Sequence, residues 1–243
     1  MATRQVAIPP KSKRHSAFLE KYFYFSMSLL VAAVVVYGFS HTVNQRLIHA
    51  NPAPPWILWL HGIVFSGWLV FFIFQSALIR THNVKLHRRT GWFGAGLGAL
   101  IPVLGISTAI VMDQFNFTRL HVAQAKVFFS IQSWDMIAFT GAFWLAVYWR
   151  KKPEYHRRLV LVATCALTAA GFGRFPFLPA WGFYVGVDAL ILLGVARDLI
   201  VSRRIHVVYR YALPAFVAGQ IVAFQLWTHH PQWWVRLTSA IIR

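Results

Sequence analysis

Apolar residues gather into seven runs along the chain, at roughly 22–41, 55–80, 91–112, 127–149, 158–178, 181–201 and 211–228, separated by short polar stretches that hold most of the charge. Each run has about 18–26 residues. At ~1.5 Å of rise per residue, that is enough for an α-helix to cross a hydrocarbon core of ~30 Å. Aromatic residues gather at the ends of the runs, as membrane-interface belts do: Trp56, Trp59, Trp181, Trp227, Trp233 and Trp234 at one set of ends, and Tyr22, Tyr24, Trp92, Tyr148, Trp149, Tyr209 and Tyr211 at the other. No stretch between runs is long enough for a soluble domain. The pattern predicts an all-α polytopic bundle of seven transmembrane helices over 22–228, preceded by a basic tail, 1–21, and followed by a short C-terminal segment, 229–243.

Charge gives this bundle an orientation. The 24 Lys and Arg residues fall into groups that alternate between dense and sparse from one inter-helix stretch to the next. The dense groups, which include Lys85-Leu86-His87-Arg88-Arg89, Arg150-Lys151-Lys152 with Arg157-Arg158, and Arg203-Arg204, put 18 cations on one side against 6 on the other. The positive-inside rule assigns the dense side, and with it the N-terminus, to the cytoplasm and leaves the C-terminus outside. A bacterial-type inner membrane is the expected location. With 58% hydrophobic and 12% charged residues, the net charge of +18 points to anionic lipid head groups and not to nucleic acid. The tail contains Pro9 and Pro10 and lacks a cleavage site after a short apolar core, so it reads as cytoplasmic and not as a signal peptide. A single cysteine, Cys165, excludes an internal disulfide.

Small residues predict where helices approach closely. Gly91, Gly94, Gly98 and Gly105 share one face of the third run with His87, and the fifth run carries Ala163, Ala166, Ala169, Ala170, Gly171 and Gly173. Such a face accepts either a neighbouring helix or a flat cofactor.

Four ionisable residues fall inside apolar runs, where charge is costly and faces a protein interior: His61, Asp135, Arg174 and Asp188. Counted along ideal helices, they lie about 9, 12, 6 and 10 Å from the outer ends. Gln220 and Gln225 fall in the same layer, and Gln132 lies one turn from Asp135. Two aspartates and one arginine leave a formal charge of −1 that a proton on His61, a metal ion or a cationic substrate would balance. In the structural alternative, Arg174 pairs with both aspartates and simply holds three helices in register.

A second histidine pattern runs along the basic ends, where His87 and His156 sit at similar depth on two helices, while His61 and His121 lie toward the opposite face. Lipid anchoring explains the basic clusters around the first pair. Alternatively, each pair holds a haem and the two haems form an electron path across the membrane. One histidine each on four successive runs resembles the ligand arrangement of the di-haem cytochromes b, which implies a b-type haem carrier with His61, His87, His121 and His156 as ligands. More of the chain is similar to a broad group of bacterial seven-helix membrane proteins without a settled function. That similarity is carried by Leu60-His61 with Trp68 and Gln75, Leu86-His87-Arg88-Arg89-Thr90-Gly91-Trp92, Pro153-Glu154-Tyr155-His156-Arg157-Arg158-Leu159, Arg174, and Arg197-Asp198 with His206.

Several functions are argued down. No lysine follows Lys152, which removes a retinal Schiff base in the last helix; the histidine boxes of membrane di-iron hydroxylases and the last-helix zinc histidines of the adiponectin-receptor and ceramidase superfamily are also missing. The leading expectation is a membrane protein of redox or cofactor-binding character, with b-type haem electron transfer as its concrete form. The alternatives are a proton-linked small-molecule transporter using the layer of His61, Gln132, Asp135, Arg174, Asp188 and Gln220, and an accessory scaffold subunit of a larger respiratory or photosynthetic assembly.

Overall fold

Proline, asparagine and left-handed residues divide the apolar runs into helices. The computed structural model describes residues 11–242, with side chains from residue 18 onward; Arg4, Pro9 and Pro10 of the predicted tail, and Arg243, lie outside the described residues. Those described residues contain nine α-helices and no strand: α1 Lys11–Ser40, α2 Trp56–Arg80, α3 Val84–Thr118, α4 Phe129–Tyr148, α5 Pro153–Ala166, α6 Ala169–Phe172, α7 Gly182–Ser202, α8 Val207–His229 and α9 Gln232–Ile241. Four helical stretches, Phe18–Ser40, Trp56–Arg80, Val84–Thr118 and Val207–His229, are long and apolar enough to span a membrane.

The boundaries have local causes. Pro55 precedes α2, and His82, with φ 61°, turns the chain after it. The Asn83 side chain then accepts a hydrogen bond from the Leu86 amide at 3.3 Å and caps α3. Pro153 opens α5 at a position where its missing N–H costs nothing. Arg203, at φ 55°, ends α7, and His206 caps α8 by accepting from the Val208 amide at 3.2 Å.

Three boundaries differ from the hydropathy pattern. The helical stretch expected at 158–178 breaks after Ala166: the Thr164 and Thr168 hydroxyls donate back to the carbonyls of Val160 and Cys165 at 2.8 and 2.6 Å, and α6 lasts only four residues. Arg174 therefore lies in the turn after α6 and not inside a helix. His121 is exposed in the α3–α4 connection with φ 54°, so it does not continue the face of α4 that carries Gln132 and Asp135. The C-terminal segment is largely helical. In α9 the Trp234 indole donates to the Val127 carbonyl at 3.2 Å, and Trp234 and Ile242 pack with Ala109, Val127 and Phe129.

The main core draws Met27 and Val31 from α1, Trp68 and Phe72 from α2, Phe139 and Phe143 from α4, Leu161 and Val162 from α5, and Val187 and Ile191 from α7. The glycine face of α3 is filled by side chains. A methyl group at Gly94 would strike Phe71 of α2, at Gly98 Phe143 of α4, and at Gly105 Met136 of α4. Gly91 differs: a methyl group there would meet nothing. The tightest backbone approach joins α1 to α6, where Gly38 lies directly against the Gly171 carbonyl.

Gly38→Ala should accordingly lower the thermal unfolding midpoint in detergent, by an overpacking cost of about 1–3 kcal/mol. Gly62→Ala is the control, since its methyl group would meet no neighbour; it should leave the midpoint unchanged or raise it. Equal midpoints for the two variants would show that the α1–α6 contact is loose.

Candidate functional site

The most completely buried charges lie at the end of the bundle that carries the dense basic clusters. Arg158, near the start of α5, and Asp198, near the end of α7, expose 2% and 1% of their side chains. The guanidinium grips the carboxylate at two points, Nε to Oδ2 at 2.8 Å and Nη2 to Oδ1 at 2.6 Å, the planar fork that makes arginine the better partner for a buried carboxylate. Its third nitrogen, Nη1, donates to the Glu154 carbonyl and carboxylate, both at 2.7 Å. Arg197 reaches the same Asp198 oxygen at 3.0 Å. Arg157 reaches the same Glu154 carboxylate at 2.6 Å, so three arginines share two carboxylates, and it is the direct pairing of Arg158 with Asp198 that makes their burial tolerable.

Aromatic groups from α1 and α8 seal this set. The Arg157 and Arg197 guanidinium groups lie 5.2 and 5.8 Å from the centre of the Tyr24 ring, and Tyr209 is buried where Gly194 leaves room for its hydroxyl. At the rim, burial disfavours the ionised form of Glu154, but hydrogen bonds and charge from Arg158 and Arg157 outweigh it and hold its pKa below the usual 4.5. His206, packed edge-on against Tyr155, has its pKa lowered from 6.5, first by burial and then by the charge of Arg158.

The same end brings two of the four predicted haem histidines together. The rings of His87, on α3, and His156, on α5, have centroids 6.3 Å apart and planes at 76°. His156 Nδ1 contacts the Ala146 carbonyl at 2.9 Å, the contact that fixes a ligating histidine's tautomer and leaves Nε2 free. His87 Nδ1 is buried with no hydrogen-bond partner. Nearby, Gln75 donates to the Thr90 hydroxyl at 2.8 Å, and Arg150 lies 5.4 Å from the centre of the Trp92 ring.

The other two histidines are not paired in this way. The His61 ring stacks on Phe65 at 3.9 Å and feels the charge of Arg174, while His121 stands exposed in its loop. Nor does the predicted polar layer form one network. Arg174 donates through Nε to the Thr42 hydroxyl at 3.0 Å and through Nη1 to the Ala170 carbonyl, and its guanidinium lies 4.1 Å from the centre of the Phe39 ring. It joins α6 to the end of α1 and forms no ion pair with either aspartate, so it is not the charge clamp of the structural alternative. Asp188 instead accepts from Gln220 at 3.0 Å, and Tyr184 stands between Asp135 and Asp188. Gln132 turns the other way and donates to the buried Asp113 at 3.1 Å.

Sequence reasoning assigned Arg158, Arg197 and Asp198 to lipid anchoring or left them without a role, and it passed over Asp113 and Tyr184. One signal was present for the first three. The chain has only six acidic residues against 24 cations, so an aspartate at a basic helix end stands out as a specific partner. Among the described residues, no three metal-binding side chains converge on one point. Comparison with protein families, curated proteins and solved structures finds no match to this chain.

Removing Asp198 leaves two buried guanidinium groups without their shared counter-charge, so Asp198→Asn should cost about 3–5 kcal/mol of stability. Glu154 is 55% exposed, so Glu154→Gln should cost less than about 1 kcal/mol. Denaturation of the two variants in detergent checks the difference, and equal losses would mean that the buried pair is not the anchor.

The pH response follows from His206 and Glu154. His206 binds its proton less readily folded than unfolded, so stability should fall as pH drops through 6.5. Glu154 has a depressed folded pKa, so its contribution is present above 4.5 and lost as pH falls further. Unfolding midpoints measured between pH 8 and 5 should decline, and His206→Asn, which replaces the capping nitrogen with a side-chain oxygen that does not titrate, should flatten that decline.

Proposed function

We propose that this is an integral membrane protein that crosses a bacterial inner membrane seven times, with its basic end in the cytoplasm, and binds a b-type haem between His87 and His156 at that end. The remaining crossings are assigned to α4, to α5 continued by α6, and to α7. Helices α4 and α7 have 20 and 21 residues, enough for ~30 Å of hydrocarbon. The polar residues of these helices have partners within the bundle: Gln132 meets Asp113, Asp188 meets Gln220, and Arg197 meets Asp198. The exposed surface of these helices is apolar, as lipid contact requires, with Ile137, Trp144 and Leu145 on α4 and Val185, Leu192 and Leu193 on α7.

The His87–His156 geometry carries the haem reading. Two metal–nitrogen bonds of ~2.0–2.1 Å, with about 1.1 Å from each nitrogen to its ring centre, require centroids roughly 6 Å apart. The observed separation is 6.3 Å. The Ala146 carbonyl holds Nδ1 of His156, and Nδ1 of His87 is buried without a hydrogen bond among the described residues, so each imidazole would have a nitrogen to offer a haem iron. Gly91, one turn along α3 from His87, leaves open space on that face, and Arg88, Arg89 and Arg150 supply cations for anionic propionates. A bound haem would supply one-electron chemistry at this end of the protein. The protein's own part is to hold two imidazoles at fixed separation and tautomer.

The reading predicts a Soret band for the purified full-length protein after haem supplementation, with a shift on adding dithionite. His87→Ala and His156→Ala should each abolish it while circular dichroism stays helical; His61→Ala and His121→Ala should retain it. A wild-type protein without a Soret band would remove the haem reading.

A further inference from the structure

We propose that the cleft between α7 and α8, at the end of the bundle opposite the histidine pair, binds an organic ammonium ion with an apolar body. Two facing stripes form it. Trp181, Tyr184 and Asp188 recur at helical spacing at and after the start of α7, and Val217, Gln220 and Phe224 do the same on α8; they line an open cleft of about 260 Å³. The walls are hydrocarbon and aromatic, and the polar groups converge at one place.

Those polar groups are matched to a cation. Asp135 and Asp188 carry two carboxyl groups that no lysine, arginine or histidine approaches within ion-pair distance among the described residues. Gln220 occupies Oδ1 of Asp188 at 3.0 Å, and Oδ2 accepts no described hydrogen bond. The independent sign of a ligand is Tyr184. Its side chain lines the cleft, the residue is 7% exposed, and its hydroxyl is buried beside Asp135 and Asp188 without a hydrogen bond of normal geometry among the described residues. A buried hydroxyl oxygen left unpaired costs about 1–3 kcal/mol, and an ammonium group seated between Tyr184 and Asp188 would donate to that oxygen while the O–H faces Asp135.

The apolar walls decide between an ammonium ion and a bare proton or metal ion. A proton needs no room, and a metal ion needs a closed oxygen shell, which a cleft walled mainly by hydrocarbon and aromatic rings does not supply. An alkyl or aryl ammonium uses the whole cleft. Its charge meets Asp188 and the Tyr184 oxygen, the aromatic side chains of Trp181 and Phe224 line the same cleft, and Val185, Val217 and Ile221 cover the hydrocarbon. Val185, Ile221 and Trp181 are each more than half exposed, so the cleft opens sideways, toward the surface that lipid would cover, and the ligand class is amphiphilic.

The test uses the full-length protein in detergent, titrated calorimetrically with hexylammonium chloride and, separately, with 1-hexanol, which has the same chain and no charge. Hexylammonium should bind at least about tenfold more tightly. Asp188→Asn should lose that preference, and Tyr184→Phe should weaken ammonium binding several-fold while thermal unfolding without ligand is little changed. Equal affinity for the amine and the alcohol would overturn the proposal, as would wild-type ammonium binding by Asp188→Asn. If Asp188→Asn does not fold, the wild-type amine–alcohol comparison and Tyr184→Phe still decide. His87→Ala should bind hexylammonium normally, so failure here and failure of the haem reading are separable.

Discussion

The pairing of Arg158 with Asp198 is the contact on which the rest of the bundle's register depends. A guanidinium and a carboxylate can leave water only together and only in good geometry, because a lone buried charge costs several kcal/mol even after relaxation. The two-point grip leaves no freedom for α5 to slide along α7 by even one turn, since a 5.4 Å shift would separate both contacts. Arg197 and Glu154 extend the pair into a network, and Tyr24 and Tyr209 bring α1 and α8 to the same point. Four helices are thereby fixed at one end by charge, where apolar packing alone would tolerate several registers.

Both candidate sites inherit their geometry from that lock. His156 stands two residues before Arg158 on α5, so the depth at which it meets His87 is set when Arg158 engages Asp198. Along α7, the register fixed at Asp198 determines which α8 residues face Asp188 ten positions earlier, and Gln220 is the one that meets it. Between these ends the interior is mainly apolar. Trp68, Phe139 and Phe143 pack edge to face and in stacked pairs, and the glycines of α3 let Phe71, Phe143 and Met136 press against its backbone. The polar chemistry is therefore split between two ends with a packed apolar layer between them.

Much of the candidate chemistry was visible as residue types and little of it as pairs. The histidines at 61, 87, 121 and 156 were evident, but periodicity treats a loop residue and a helix residue alike, and the left-handed turn at His121 lies outside any helical repeat. Arg174 looked intramembrane because 158–178 is continuously apolar. Hydroxyl groups of Thr164 and Thr168 bonding back to the main chain end the helix earlier than hydropathy can register. Asp113 fell one residue beyond the expected helix end, yet α3 continues to Thr118 and buries it against Gln132.

The sequence by itself determined that the chain is helical, where most apolar segments lie, and which side of each carries the dense positive charge. These are one-dimensional properties: hydropathy and charge act residue by residue and add along the chain. The tertiary structure decided which polar residues become partners. That choice depends on azimuth around each helix and on depth to within a few ångströms, and neither is set by composition. Arg158 was one cation among five in its cluster until the fold placed Asp198 against it; Tyr184 carried no assigned role until α4 and α7 brought it beside two aspartates. A buried charge or hydroxyl is satisfied or left open only by what a neighbouring helix brings to it.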